Sequence, residues 1–326
     1  DNHFYLCCTQ EGCLFEKSLP IQVVDEELYV HPPTLLFGTV DKFAMLAWKN
    51  DPGSFFGGGT RNRAPELIIQ DELHLISGPL GTIVGLYETA IDALCSSKGI
   101  RPKIIASTAT IRRAKAQCSA LYNREVRQFP PPGLDASDSY FAREADPDKK
   151  PGRVYMGIMP AGKTKAMMEV RTAAAILQHV QMMPFDDDVK DKYWTLTAYF
   201  NSLRDLGKCA TLVSDDVKDA IRRIMYRFGR GVIARPIATS ELTSRVSTTQ
   251  LNETLDRLEH VAYSAANQQA KKYPVGVLLA TNMISVGVDV DRLNIMLVVG
   301  QPKLTSEYIQ ASSRIGRTYP GIAFTL

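Results

Sequence analysis

Apolar residues fall along this chain in short β-branched runs separated by longer stretches of mixed polarity. Residues 34–37, 67–70 and 103–106 read as buried strands in the first half, and 153–158, 210–213, 275–280 and 294–299 in the second. Between them, 83–95, 164–180, 215–226 and 248–272 carry helical spacing. Strands that alternate with helices are joined by right-handed crossovers, which build parallel sheets. The pattern predicts an α/β chain with two parallel-sheet domains in tandem. Residues 129–152, with Pro130-Pro131-Pro132-Gly133 followed by acidic and small residues, cannot bury a core and read as a linker between domains at 1–128 and 153–326. Residues 51–63, with Gly57-Gly58-Gly59, read as a mobile loop, and 248–272 as an insertion in the second domain.

Composition narrows the class. At 326 residues there is chain enough for two cores. The formal charge of +3 is too weak for a global pull on nucleic acid, so a DNA footprint would have to be a local groove. No apolar run approaches the ~20 residues that cross a bilayer, and no export signal opens the chain. The lack of an initiator Met reads as a fragment or a trimmed chain. Six cysteines do not make a disulfide framework at this length. Cys95, Cys118 and Cys209 read as small core residues, which suits a reducing cytoplasm. Cys8 and Cys13, with Cys7 and His3 beside them, are either half of a Zn²⁺ site or a set of reduced thiols, since zinc takes four ligands.

The candidate chemistry begins at Leu67-Ile68-Ile69-Gln70-Asp71-Glu72-Leu73-His74, an apolar strand running into two carboxylates and a histidine. In an NTPase the first carboxylate at such a strand end holds Mg²⁺ and the second activates the attacking water. Solvated acids that merely cap a strand have the same spelling. The strand at 103–106 ends in Ser107-Thr108-Ala109-Thr110, hydroxyls that either bond to the acidic turn or cap the next helix. Near the other end, Arg314 and Arg317 stand three apart, which predicts one helical face. Arginine forks suit phosphate oxygens, and two solvated surface arginines would look the same.

These segments resemble superfamily 2 helicases. Asp71-Glu72-Leu73-His74 is similar to their DExH motif, and Ser107-Thr108-Ala109-Thr110 to the hydroxyl motif that couples it. Ala280-Thr281-Asn282 with Ser285-Val286-Gly287-Val288-Asp289 resembles motif V, and 310–317 resembles motif VI. The resemblance implies two RecA-like domains with ATP bound between them. Asp71 would hold Mg²⁺ and Glu72 act as base. His74 would link the nucleotide and nucleic-acid sites, with Ser107, Thr108 and Thr110 coupling. Gln310, Gly287 and Asp289 would lie at the nucleotide, Arg314 and Arg317 at the γ-phosphate, and Thr281 and Asn282 at nucleic acid. Ala311 and Ser313 depart from the Arg and Gly of the DEAH subgroup.

Longer strings narrow the match. Thr39-Val40-Asp41-Lys42-Phe43-Ala44, 70–81 and 129–135 resemble the helicase family of bacterial DISARM anti-phage systems. That resemblance implies DNA as substrate, Thr39 as a phosphodiester contact, a role in phage defence and a DrmB-type partner. An inactive DNA-binding scaffold and an RNA helicase are the rival readings. Gly157-x-x-x-x-Gly162-Lys163-Thr164 has the spelling of a phosphate-binding loop, yet it opens the second domain, whereas the resemblance places that loop before the acidic motif. A true phosphate loop, a backbone-phosphate contact through Lys163, and a plain strand-to-helix turn all fit. Val213-Ser214-Asp215-Asp216 is the weak acidic counterpart in that domain, and the working loop is expected upstream of Asp1.

Overall fold

The computed structural model describes residues 4–59, 61–76, 78–108, 114–131, 133–135, 137–150, 152–282 and 290–326, with the backbone alone at 78–80. Contacts divide the chain into two compact units, Asp1–Pro131 and Pro132–Leu326.

The first unit contains helices α1 (Asp25–Val30) and α2 (Val40–Ala44), strand β1 (Leu67–Gln70), helix α3 (Gly78–Ser96), strand β2 (Lys103–Ala106) and helix α4 (Ala114–Tyr122). β1 and β2 pair in parallel, Leu67 opposite Lys103 and Gln70 opposite Ala106, with α3 in the crossover between them. Leu73, Cys118 and Tyr122 form a small buried cluster against Ile104 and Ala106.

Two expectations change here. Residues 34–37 are not a strand. Pro32 and Pro33 precede them without N–H donors, and Leu35 and Phe37 are left exposed. The stretch expected to be a mobile loop, 51–63, is structured in its first half. Asp51–Phe56 winds into a 3-10 turn that buries Pro52 and Phe56. The Phe55 ring lies 5.4 Å from Tyr29, and the Lys98 ammonium donates to the carbonyls of Gly57 and Asn62 at 3.0 and 2.8 Å. Phe55 and Phe56 anchor a segment whose glycines suggested slack.

The second unit runs β3 (Arg153–Gly157), α5 (Lys165–Met182), α6 (Asp187–Lys192), β4 (Leu196–Phe200), α7 (Leu203–Leu212), α8 (Lys218–Phe228) and β5 (Thr239–Leu242). It continues with α9 (Thr248–His260), α10 (Ala265–Gln269), β6 (Val277–Ala280), β7 (Ile295–Val299), α11 (Thr305–Ser312) and β8 (Gly321–Thr325). Its six strands form one parallel sheet in the order β3-β8-β7-β4-β6-β5. Alternate residues feed two cores, as the period of two in a strand requires. Leu196, Ala198, Phe200, Leu279 and Leu297 face α5, α7 and α8, whereas Tyr199, Leu278, Met296 and Val298 face the side of Leu258 and Ala311.

Three readings are corrected in this unit. Residues 210–213 belong to the helical run through α7, because Leu206, Cys209, Val213 and Val217 are buried at helical spacing. Val213–Val217 is a π turn joining α7 to α8 with Asp215 and Asp216 exposed, so it is no acidic counterpart at a strand end. The 248–272 stretch is two helices, α9 and α10, rather than one. Ser247 and Gln250 cap α9 reciprocally, and Leu258 is buried in the second core. Cys95, Cys118 and Cys209 are buried and unpaired, as expected of core residues.

Candidate nucleotide and nucleic-acid site

β1 and β2 end side by side, and each continues into a polar turn. Backbone bonds stitch the turns together: the Ser107 N–H donates to the Gln70 carbonyl at 2.8 Å, and the Leu73 N–H to that of Ser107 at 2.9 Å. The Ser107 hydroxyl donates to Asp71 Oδ1, and the Glu72 N–H donates to the same oxygen at 2.9 Å. Both bonds favour the charged carboxylate, so they hold Asp71 below the usual carboxylate range. An anionic oxygen donor at the C-terminal edge of parallel strands suits a hard divalent cation such as Mg²⁺.

Glu72 sits in the left-handed region at φ 52°, ψ 44°. A side chain there costs about 1–2 kcal/mol, and such strain gathers at functional sites. His74 Nδ1 lies 3.1 Å from Thr108 Oγ1 and 3.3 Å from Glu72 Oε2, with its ring almost wholly buried. The histidine thus touches both the acidic turn and the hydroxyl turn. Thr110 lies outside the described residues.

Helix α4 braces this arrangement from behind. The Tyr122 hydroxyl donates to Gln70 Oε1, and Gln117 Nε2 donates to the Ile76 carbonyl at 3.3 Å. Sequence reasoning missed this brace. Its one signal was Gln70, a polar residue closing an otherwise apolar strand. Thr39 is exposed and immediately precedes α2, without using its hydroxyl as a cap.

In the second unit Thr281 is buried directly after β6 and Asn282 is exposed, while Gly287 and Asp289 lie outside the described residues. Helix α11 buries Gln310, Ala311 and Ser312. The expectation of Arg314 and Arg317 on one helical face is corrected, because the helix ends at Ser312. The Arg314 N–H turns back to the Ala311 carbonyl at 3.2 Å. Gly316 then adopts φ +63° and donates its N–H to the Leu293 carbonyl at 3.0 Å, out of the helix. The arginines therefore stand on a fixed turn. Asn201 and Ser202, at the C-terminal end of β4, escaped the sequence reading because that strand did. Asn201 donates to the Gly300 carbonyl at 2.8 Å, joining the ends of β4 and β7.

Lys163 is exposed in the turn from β3 to α5, where Gly162 has φ +68°. The Thr164 hydroxyl accepts from the Met167 N–H, capping α5. That is the use a strand-to-helix turn makes of a threonine. Near the start of the chain, the Cys8 N–H bonds to the Phe15 carbonyl at 2.9 Å and the Cys13 N–H to that of Gln10 at 3.3 Å. The Gln10 backbone and the Cys13 thiol draw the Cys8 thiol below its ordinary pKa. Two thiols are half a zinc shell. Among the described residues no group of three or more His, Cys, Asp or Glu could hold a metal, so this pair does not make a zinc site by itself.

A cavity of about 770 Å³ beside α5 is lined mainly by apolar residues such as Ile176, Val180, Ile295, Ile322 and Phe324. It includes none of the residues above, so its size does not make it the candidate site. Among the described residues no helix is long and apolar enough to cross a membrane.

Residues 232–319 match the family described as Helicase conserved C-terminal domain. With the parallel sheets and the acidic turn, this match gives the class that the chain resembles, a helicase, with residues 232–319 similar to the conserved C-terminal domain. Within that class it is similar to the DISARM protein DrmA of Bacillus paralicheniformis, at 40% identity over 358 aligned positions that cover 98% of this chain and 31% of the relative. The fold is also that of DUF1998 helicase MrfA bound to DNA, at TM-score 0.55 and 15% identity over 88% of this chain and 32% of the other. Mycobacterium smegmatis helicase Lhr bound to ssDNA and AMP-PNP matches at TM-score 0.57 and 14% identity, covering 92% and 33%. The chain spans about a third of the length of each.

Proposed function

We propose that this chain carries part of the ATP-hydrolysing motor of a DNA helicase or translocase in a DISARM-type anti-phage defence system. The observation that carries the proposal is the Ser107–Asp71–Glu72–His74 constellation at the joined ends of β1 and β2. A scaffold that only grips DNA has no chemical need for a carboxylate held charged beside a strained glutamate. Bound Mg²⁺ would neutralise charge developing on the transferred phosphoryl group. Asp71 is the residue that would hold the ion, and Glu72 would take the proton of the attacking water. Arg314 and Arg317 supply permanent positive charge for phosphate oxygens. Thr39, Thr281 and Asn282 are assigned to the nucleic-acid backbone, and His74 carries the state of one site to the other through Thr108. The similarity to DrmA supports the defence role and a DrmB-type partner. The DNA in the MrfA and Lhr structures supports DNA as the polymer.

The test is ATP hydrolysis by the full-length protein with no polymer, with DNA and with RNA, in the wild type and in Glu72→Gln. We expect hydrolysis stimulated by DNA and reduced about 10²–10⁴-fold by the substitution, the range for loss of a general base. DNA binding with no turnover in the wild type would identify the scaffold instead, and stimulation by RNA alone would reassign the polymer.

A further inference from the structure

We infer that Arg153, the first residue of β3, is the positioning residue for the arginine pair; the inference rests on the function proposed above. Its guanidinium is committed to backbone. Nε donates to the Ile315 carbonyl, and Nη2 donates to the Ser313 carbonyl at 3.1 Å. These two carbonyls flank Arg314, and Ile315 leads through Gly316 into Arg317. An arginine fork meets both acceptors at once, so it fixes the plane of the turn as well as its distance. One of the two acceptors, Ser313, is the C-cap of α11, so the fork also supplies a donor at the helix end.

The stem of Arg153 adds a second constraint. It faces Gly321 in the register of β3 and β8. A Cβ on Gly316 would come within 2.8 Å of Gly321 Cα and N, and 3.0 Å from Arg153 Cγ. The turn is thus gripped between the Arg153 stem, the first residue of β8 and the Leu293 carbonyl. Arg153 also stands directly after the 129–152 stretch. The first residue of the second sheet is therefore the one that holds the turn carrying the arginines.

The experiment uses DNA-stimulated ATP hydrolysis by the full-length protein. Arg153→Met keeps the stem and removes both donors; Arg153→Lys returns one. We expect Arg153→Met to lower kcat about 10- to 100-fold, the cost of misplacing a reacting group by about an ångström, with KM for ATP and DNA affinity unchanged. Arg153→Lys is expected to recover part of the loss. Added to a variant lacking both arginines (Arg314→Ala with Arg317→Ala), Arg153→Met should cause little further loss, because it acts through that pair. Unchanged kcat in Arg153→Met, or a full multiplicative loss when it is added to the variant lacking both arginines, overturns the inference. If Arg153→Met does not fold, a reduced kcat at constant KM in Arg153→Lys carries the test and an unchanged kcat overturns it. Wild-type turnover in the variant lacking both arginines would instead overturn the parent reading of the arginines, and this inference with it.

Discussion

Glu72 offers a sharp check on the acidic turn, because replacing it separates strain from chemistry. Consider Glu72→Gly and Glu72→Ala. Both remove the carboxylate and its 3.3 Å approach to His74, so that loss cancels between them. What remains is the backbone at φ 52°. Alanine keeps a Cβ there at a cost of about 1–2 kcal/mol, which glycine avoids. Against this, glycine releases more entropy on unfolding, worth about 0.5–1 kcal/mol. The net expectation is that Glu72→Gly is more stable than Glu72→Ala by about 0.5–1 kcal/mol. At an ordinary helical position the order is the reverse. For the 131 residues of the first unit, this difference is worth about 2–4 °C in its transition. Thermal and urea unfolding of the two variants, both expected to be inactive, supply the readout. An alanine variant as stable as the glycine variant, or more so, would refute the left-handed backbone and the strain argument together.

Two further outcomes follow from the same geometry. In Ser107→Ala, Asp71 loses a donor that favours its charged form, so its pKa should rise toward the ordinary carboxylate value. A depressed carboxylate contributes stability above its unfolded pKa and loses it as pH falls through the folded pKa; the variant should therefore begin its acid transition at higher pH, read by carboxyl NMR titration. Phe200→Ala, in the fully buried core of the second unit, should cost about 3–5 kcal/mol in urea unfolding. A cost under about 1 kcal/mol would mean that β4 is not central.

Legibility in the sequence followed chemistry more than burial. β1, β2, β6 and β7 could be read because β-branched runs ended in turn residues. β4, among the most buried strands, could not: Leu196-Thr197-Ala198-Tyr199-Phe200 mixes small, polar and aromatic residues and alternates for two cores at once. The strand was placed instead at 210–213, where Ala210-Thr211-Leu212-Val213 looks extended until the burial of Leu206, Cys209, Val213 and Val217 is read at helical period. In the site, Asp71, Glu72 and His74 were legible because their types and order are set by chemistry. The bonds that hold them come from Thr108 and Ser107, 34 and 36 positions away, while Tyr122 holds the adjoining Gln70 from 52 away, and spacing along one strand carries no trace of such partners. The arginines were found but set on a helix, since nothing local announces that Gly316 turns left-handed against Gly321.

The strand order of the second sheet also bears on how the protein is made. β3 bonds to β8 alone, across more than 160 intervening residues. At ribosomal speeds of about 5–20 residues per second, Arg153–Gly157 emerges about 10–30 s before its partner exists. Val154, Tyr155 and Met156 remain substantially exposed even in the finished sheet, so in the nascent chain they form an open, sticky edge. Synthesis of this unit therefore includes an interval in which a chaperone or a neighbouring nascent chain can reach β3 first. A ribosome stalled before residue 321 would hold a product with that edge still open.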